Sequence, residues 1–317
     1  MSLAITERSR VRLLGQAMDI VTPQDVMRFT ADCIRGARKA IVANHNAHSL
    51  VLVRRDPAMR ALYSMADVIE IDSMPLIAWG SILGLGLAAR HRCTYLDWRE
   101  DFWRLAHTEG WRVFYLGGSP GVAAKAAAEL RRRWPGATIG VHKGYFDQRP
   151  SSVENDEVVE TINAFAPDVL FVGLGMPVQE RWVAHNYERL DRGVVFPIGG
   201  AFDYEAGVQV AAPRWASRAG AEWLFRFATQ PRRLFRRYFI EPWSLVLPAA
   251  ADLRRAWTYR RADQTRQGVS RTDGRLGLAL AASVRLGPAG VDERHQRHQR
   301  QQRDPERNDS NEVRAIK

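Results

Sequence analysis

Through most of the chain, short β-branched apolar runs alternate with longer stretches whose apolar positions recur every three to four residues. The first pattern predicts strands and the second predicts amphipathic helices. Residues 39–43, 67–72, 112–116, 137–141, 168–172 and 193–197 read as strands. Between them, residues 47–66 read largely as helix, and 98–110, 121–134, 153–166 and 178–190 read as helices. Such alternation with short connections implies an α/β fold: a Rossmann-like, mainly parallel sheet with helices on both faces.

The longest uncharged run, residues 74–89 (MPLIAWGSILGLGLAA), is shorter than the roughly 20 residues of a spanning helix and is broken by Gly80, Gly84 and Gly86. It is expected to be a buried core helix. The opening MSLAITERSR carries charges where a signal peptide needs apolar residues. A cytoplasmic protein, soluble or peripheral on the inner face of the plasma membrane, is the expectation. From Gly207 the pattern turns helical, aromatic and arginine-rich as far as residue 261, and periodicity is then lost in segments such as DERHQRHQRQQRDPERNDSN. So polar a stretch cannot offset its ordering entropy. The chain therefore divides into an α/β core (residues 1–206), a helical Arg-rich C-terminal appendage (207–261) and a disordered tail (262–317).

Charge narrows the choice of partners. With 46 Lys+Arg against 35 Asp+Glu, the net charge of +11 favours an anionic one: nucleic acid, a phospholipid surface or a phosphorylated substrate. Two cysteines, Cys33 and Cys93, leave no room for a disulfide framework or a Cys-rich zinc site.

Ligands of open parallel sheets bind at the carboxyl ends of the strands, and four predicted strand ends carry unusual chemistry. VFYLGGSPG places Gly117, Gly118 and Ser119 before a helix start, whose free N–H groups suit a phosphate; an ordinary tight turn has the same signature. In DVLFVGLGMPVQE, Gly173 and Gly175 resemble the opening of a dinucleotide fingerprint, but Val178 stands at the third glycine and no ribose acid ends the next strand. That argues against a nicotinamide oxidoreductase. Gln179 and Glu180 follow in the first helical turn, placed either to grip sugar hydroxyls or to cap the helix. Asp72 ends the third motif, DVIEID, beside a Pro-containing turn; the position suits a general base, and Asp is also common in turns. Glu70 shares its strand face, an incomplete copy of an acidic metal-binding pair. The fourth, Asn44-His45-Asn46-Ala47-His48, offers amides for hydroxyls or for helix capping.

These elements, in this order, resemble the WecG/TagA/CpsF glycosyltransferases over residues 22–243, most strongly in VFYLGGSPGVA, WPGATIGVHKGYF, APDVLFVGLGMPVQERWVAHN, PIGGAFDYEAG and AAPRWASRAGAEWLFRFATQPRRLFRRY. TYLDW, at residues 94–98, is closer to the xanthan-type glucosyltransferase branch (GumM) than to the teichoic-acid branch. The resemblance implies a metal-independent inverting transfer with no cofactor, from a UDP-sugar to a monosaccharide on a polyprenyl diphosphate. It implies Asp72 as general base, and Asn46, Arg92 and Gln179 as further catalytic-site residues. Gly117, Gly118, Ser119, Gly173, Gly175 and Glu180 would serve the UDP-sugar. Three positions depart from the pattern: Asn44 stands for Thr, Ser73 for Gly and Ala211 for Arg.

Between residues 214 and 261, eleven arginines face three acids, interleaved with Trp215, Trp223, Phe225, Phe227, Phe235, Tyr238 and Trp243. Basic residues near an anionic leaflet contribute about 1 kcal/mol each, and aromatics sit at the headgroup level. The segment is expected to dock on the membrane, with Arg226, Arg232 and Arg233 reaching the diphosphate of donor or acceptor. Two competing readings are a nucleic-acid-binding module, for which no recognised motif is present, and an inactive paralogue that binds UDP-sugar or lipid. A homo-oligomer is left open.

Overall fold

A computed structural model describes residues 9–209, 224, 227–228 and 231–270, with Arg233 and residues 259–270 as backbone only. The chain opens with a hairpin of β1 (Arg10–Leu13) and β2 (Gln16–Asp19), then α1 (Pro23–Arg35). Next come β3 (Ala40–His45), α2 (Ala47–Leu52), α3 (Pro57–Met65), β4 (Val68–Ile71), α4 (Met74–Ile82) and α5 (Tyr95–Glu109). The second half adds β5 (Arg112–Gly117), α6 (Val122–Arg133), β6 (Thr138–His142), α7 (Val153–Phe165), β7 (Val169–Gly173), α8 (Val178–Asn186), β8 (Val194–Pro197) and α9 (Ala201–Glu205). The C-terminal segment holds α10 (Pro231–Phe235), a π turn (Arg236–Ile240), a 3₁₀ turn (Glu241–Leu245) and α11 (Val246–Ser270).

The α/β expectation holds: six strands form one parallel sheet in the order β4-β3-β8-β7-β5-β6. Helices cover both faces because the strands are apolar on both. On one face Trp98, Phe102 and Trp103 of α5 pack on Phe171 and Phe196, with Trp98 5.5 Å from Phe196 and Phe102 4.9 Å from Phe171 between ring centroids. On the other face Leu62, Trp182 and Val183 cover Ile41, Leu170 and Val195. Full burial of each large apolar side chain stabilises by about 1.5–3 kcal/mol.

The stretch 47–66 is two helices rather than one. Pro57 cannot continue α2, and the Asp56 carboxylate accepts from the Ala58 and Met59 amides as the N-cap of α3. Residues 74–89 do form a core helix, ending at Ile82, with Leu76 and Ile77 buried.

The β1–β2 hairpin covers β4, the edge strand. Asp19 Oδ2 accepts from the Ile69 amide at 2.8 Å while its other oxygen takes the Arg10 Nε–H, also at 2.8 Å. This satisfies a carboxylate buried under an apolar layer of Leu13, Met18, Ile71 and Leu76. The same layer receives α11: buried Asp252 accepts from the Leu14 amide at 2.7 Å and the Trp79 indole at 3.2 Å. The helix runs to Ser270, past the boundary read from sequence at residue 262. Residues 210–223, 225–226, 229–230 and 271–317 fall outside the described residues, and with them Ala211, Trp215, Trp223, Phe225, Arg226 and most of the expected tail. Among the described residues no helix is long and apolar enough to cross a membrane.

Candidate active site

The chain leaves β3 toward β4 on one side and returns at β8 on its other side. Side chains and turns at the carboxyl ends of β3, β4, β7 and β8 enclose a cavity of about 560 Å³, within the usual range for small-molecule sites. Its walls include Asn44, Asn46, Glu70, Asp72, Trp98, Gly175, Gln179 and Asp203, and the C-terminal segment closes it with Arg236, Arg237, Tyr238 and Glu241.

Strand register explains one wall. Asn44 on β3 pairs with Glu70 on β4, and two residues further along each strand stand Asn46 and Asp72. Side chains repeat on one face every second residue, so two amides and two carboxyls form two rows on one sheet face. Asn46 Nδ2 donates to Asp72 Oδ2 at 3.2 Å, while its Oδ1 accepts from the His48 and Ser49 amides as the N-cap of α2. Hydroxyl grip and helix cap were the two readings open for these amides; Asn46 caps, and it also orients Asp72. Arg237 reaches the same Oδ1 at 3.4 Å. His48 Nδ1 and Glu241 Oε2, 2.6 Å apart, fasten the C-terminal segment against this wall.

Of the residues expected to act, Asp72, Asn46, Gln179 and Gly175 line the cavity together. Gln179 is 1% exposed, and its Oε1 accepts from the amides of Gly175 at 3.2 Å and Gly199 at 3.0 Å. Its carboxamide therefore ties together the turns after β7 and β8, with Nε2 donating to Glu180 Oε1 at 2.8 Å. Glu180 is buried behind the cavity rather than in its wall, and desolvation lifts its carboxyl to about 7. Arg92 also lies outside the wall, paired through two bonds of 3.1 and 2.6 Å with Asp97.

Except for Gly175, the expected glycine turns stand apart from this wall. Gly117, Gly118, Ser119 and Gly173 share the carboxyl edge with Asp72 but do not line the cavity. A Cβ on Gly117 would sit 2.5 Å from the Gly173 carbonyl oxygen, and one on Gly173 only 2.2 Å from the Tyr115 hydroxyl. These glycines serve the close approach of strand ends. Among the arginines, Arg226 falls outside the described residues, the side chain of Arg233 is not described, and Arg232 is exposed away from the wall. Among the described residues, the arginines that reach the cavity are Arg236 and Arg237, one helical turn later. In RRLFRRY both pairs repeat at the i, i+4 spacing that shares a helix face, so sequence could not rank them.

Sequence reasoning also gave no role to Asp203 and ranked Glu70 only as a poor metal ligand. Burial raises the Asp203 carboxyl. Burial raises Glu70 well above the ordinary carboxylate range, and the charge of Asp72 adds to the rise. The indole N–H of Trp98 opposes it from nearby without reaching hydrogen-bond geometry. Among the described residues no group of three or more metal-ligating side chains assembles.

The model of the Glycosyl transferase WecG/TagA/CpsF family matches residues 11–259. The chain belongs to that family. Its curated relatives include the N-acetylglucosaminyldiphosphoundecaprenol N-acetyl-beta-D-mannosaminyltransferases of Staphylococcus aureus strains NCTC 8325 / PS 47 and COL. Each is 28% identical over 247 residues, which cover 74% of this chain and 91% of the relative. The matched span of this glycosyl transferase takes in every wall of the cavity, the C-terminal arginines included.

Proposed function

We propose that the protein moves a sugar from a UDP-sugar to a monosaccharide carried on a polyprenyl diphosphate, with inversion, during assembly of an exopolysaccharide or other cell-surface glycan. One observation carries the reading: Asp72, oriented by Asn46, shares a cavity with Arg236 and Arg237. A carboxylate and two guanidiniums are what this displacement requires. The Asp72 carboxylate takes the proton of the acceptor hydroxyl as its oxygen attacks the anomeric carbon. The bond from that carbon to the diphosphate breaks, and UDP departs with the electron pair. The arginines balance the charge developing on the diphosphate, a task for which preorganised cations in a partly dry site are effective. No step requires a metal. The S. aureus relatives are named for transfer to a diphosphoundecaprenol-linked N-acetylglucosamine, which supports the acceptor class.

The C-terminal segment supports a membrane-surface location. Trp243, Leu247, Val246 and Trp257 are exposed there, among the arginines of the segment. Exposed apolar groups of that size mark an interaction surface. Flotation with anionic vesicles should carry the protein upward, and Trp243→Ala with Trp257→Ala should reduce it; undiminished flotation would remove this face from the contact.

The reaction is tested with a panel of UDP-sugars and a synthetic short-prenyl diphosphate monosaccharide, with and without EDTA. Transfer from at least one donor, insensitive to EDTA, is expected. Loss of transfer on chelation would overturn the metal-free mechanism.

A further inference from the structure

Six buried side-chain polar atoms have no hydrogen-bond partner among the described residues, and three of them, Asn44 Oδ1, Glu70 Oε1 and Trp98 Nε1, belong to residues that line the cavity. An unmade hydrogen bond at a buried group costs about 1–3 kcal/mol, so three on one wall are not expected of a surface shaped only for stability.

Their placement is not accidental. Asn44 and Glu70 are register partners on neighbouring strands, which lie about 4.8 Å apart. Trp98 descends from α5 onto the same sheet face, within the core cluster that holds Val42 and Val68, the residues two positions before Asn44 and Glu70. The Asn44 amide cannot turn to relieve its oxygen, because Nδ2 donates to the Pro197 carbonyl at 3.0 Å. Glu70 is 3% exposed and Trp98 1% exposed, so bulk water does not serve them freely.

Asn44 Oδ1 is an acceptor, Trp98 Nε1 is a donor, and the Glu70 carboxyl, which burial favours in its protonated form, offers either. A hydroxyl is both a donor and an acceptor, and a sugar presents several on adjacent carbons. An ionised carboxylate or phosphate offers the Asn44 oxygen no donor, and an alkyl chain would satisfy nothing. We propose that Asn44, Glu70 and Trp98 form a hydroxyl-binding subsite for a hexopyranose ring, which fixes that ring beside Asp72 and sets which sugar is accepted. The inference rests on the sugar-transfer reading and adds to it the residues that choose the sugar. The ring belongs either to the nucleotide donor or to the lipid-linked acceptor, and both offer the same chemistry.

The test uses the full chain and reads binding rather than turnover. The Trp98 indole N–H resonance, assigned with Trp98→Phe, is followed during titration with UDP, with UDP-glucose and other UDP-hexoses, and with a short-prenyl diphosphate monosaccharide. A downfield shift with a sugar-bearing ligand and none with UDP supports the subsite, and the ligand that produces it identifies the source of the ring. In parallel, Glu70→Leu removes a buried unpaired carboxyl. It should raise the melting temperature while weakening the same sugar ligand about ten- to hundredfold and leaving UDP unchanged. A purely structural Glu70 would move stability the other way. The subsite is overturned if sugar ligands bind, as other resonances report, while the Trp98 signal stays still, or if Glu70→Leu binds them like the parent. If no sugar-bearing ligand binds at all, the transfer reading fails and the subsite falls with it.

Discussion

Two stretches of the carboxyl edge make an instructive contrast: the glycine turns after β5 and β7, and the polar rows ending β3 and β4. From sequence the glycines are the louder signal, since Gly-Gly-Ser before a helix and Gly-x-Gly after a strand both suggest a phosphate cradle. In the fold, Gly117 and Gly173 are consumed by each other, by Tyr115 and by Gly199. The polar rows are quieter in sequence, yet they hold Asp72, its Asn46 partner and side-chain atoms with nothing to bind. A glycine can be explained wholly by its neighbours' backbones, whereas a buried polar atom without a partner has no structural reason to persist.

The sharpest way to break this contrast is to fill the glycine side. Gly173→Ala drives a Cβ to 2.2 Å from the Tyr115 hydroxyl and 2.5 Å from the Gly199 carbonyl oxygen. A loss of about 3 kcal/mol or more is expected in urea denaturation, because backbone must shift. Gly175→Ala meets nothing within 4 Å and pays only for its left-handed φ of +78°, about 1–2 kcal/mol. Equal losses for the two would contradict the packing account.

Next in size is a comparison of arginines. Arg237→Ala should weaken UDP or prenyl-diphosphate binding about tenfold or more, as the loss of a charge-assisted contact requires. Arg232→Ala, away from the cavity wall, should change it less than about twofold. Calorimetry with each ligand separates them, and a larger effect at Arg232 would reverse the assignment.

A smaller effect concerns pH. Glu180 has its carboxyl raised from 4.5 to about 7 by burial. The native state therefore holds this proton more tightly than the unfolded chain does. The resulting stability is complete below about 4.5 and is lost as pH climbs through about 7. His45, stacked on Tyr63 and lowered from 6.5 to about 3 by desolvation, has the opposite sense: its contribution is complete above 6.5 and is lost as pH falls toward 3. Urea midpoints measured across this range should show Glu180→Gln reducing the decline between about 4.5 and 7, to which Glu70 and Asp203 also contribute, while leaving the acid-side loss. An unchanged profile would mean Glu180 is ionised in the folded protein.

The sheet was legible because its strands announce themselves twice, by β-branched runs and by the helices between them. The β1–β2 hairpin was not: its strands are four residues each, and its turn runs through Leu14 and Gly15, both at positive φ, without an Asn-Gly or Asp-Gly signal. Asp56-Pro57 did carry the signal that divides 47–66 into two helices, an N-cap followed by proline. Asp72 and Asn46 could be named from their positions after strands. Glu70 could not be ranked, because its meaning depends on a register partner twenty-six residues away and on Trp98 from α5. Nor could Arg236 be preferred to Arg232, since that depends on where Glu241 meets His48.

The central claim is that Asp72 takes the acceptor's proton in this cavity, and single-turnover transfer with Asp72→Asn tests it most directly. Asparagine keeps the size and the neighbour at Asn46 but is no base. Transfer should fall by about 10²–10⁴-fold with UDP affinity and melting temperature unchanged. Near-normal transfer by a stably folded Asp72→Asn protein would contradict the account.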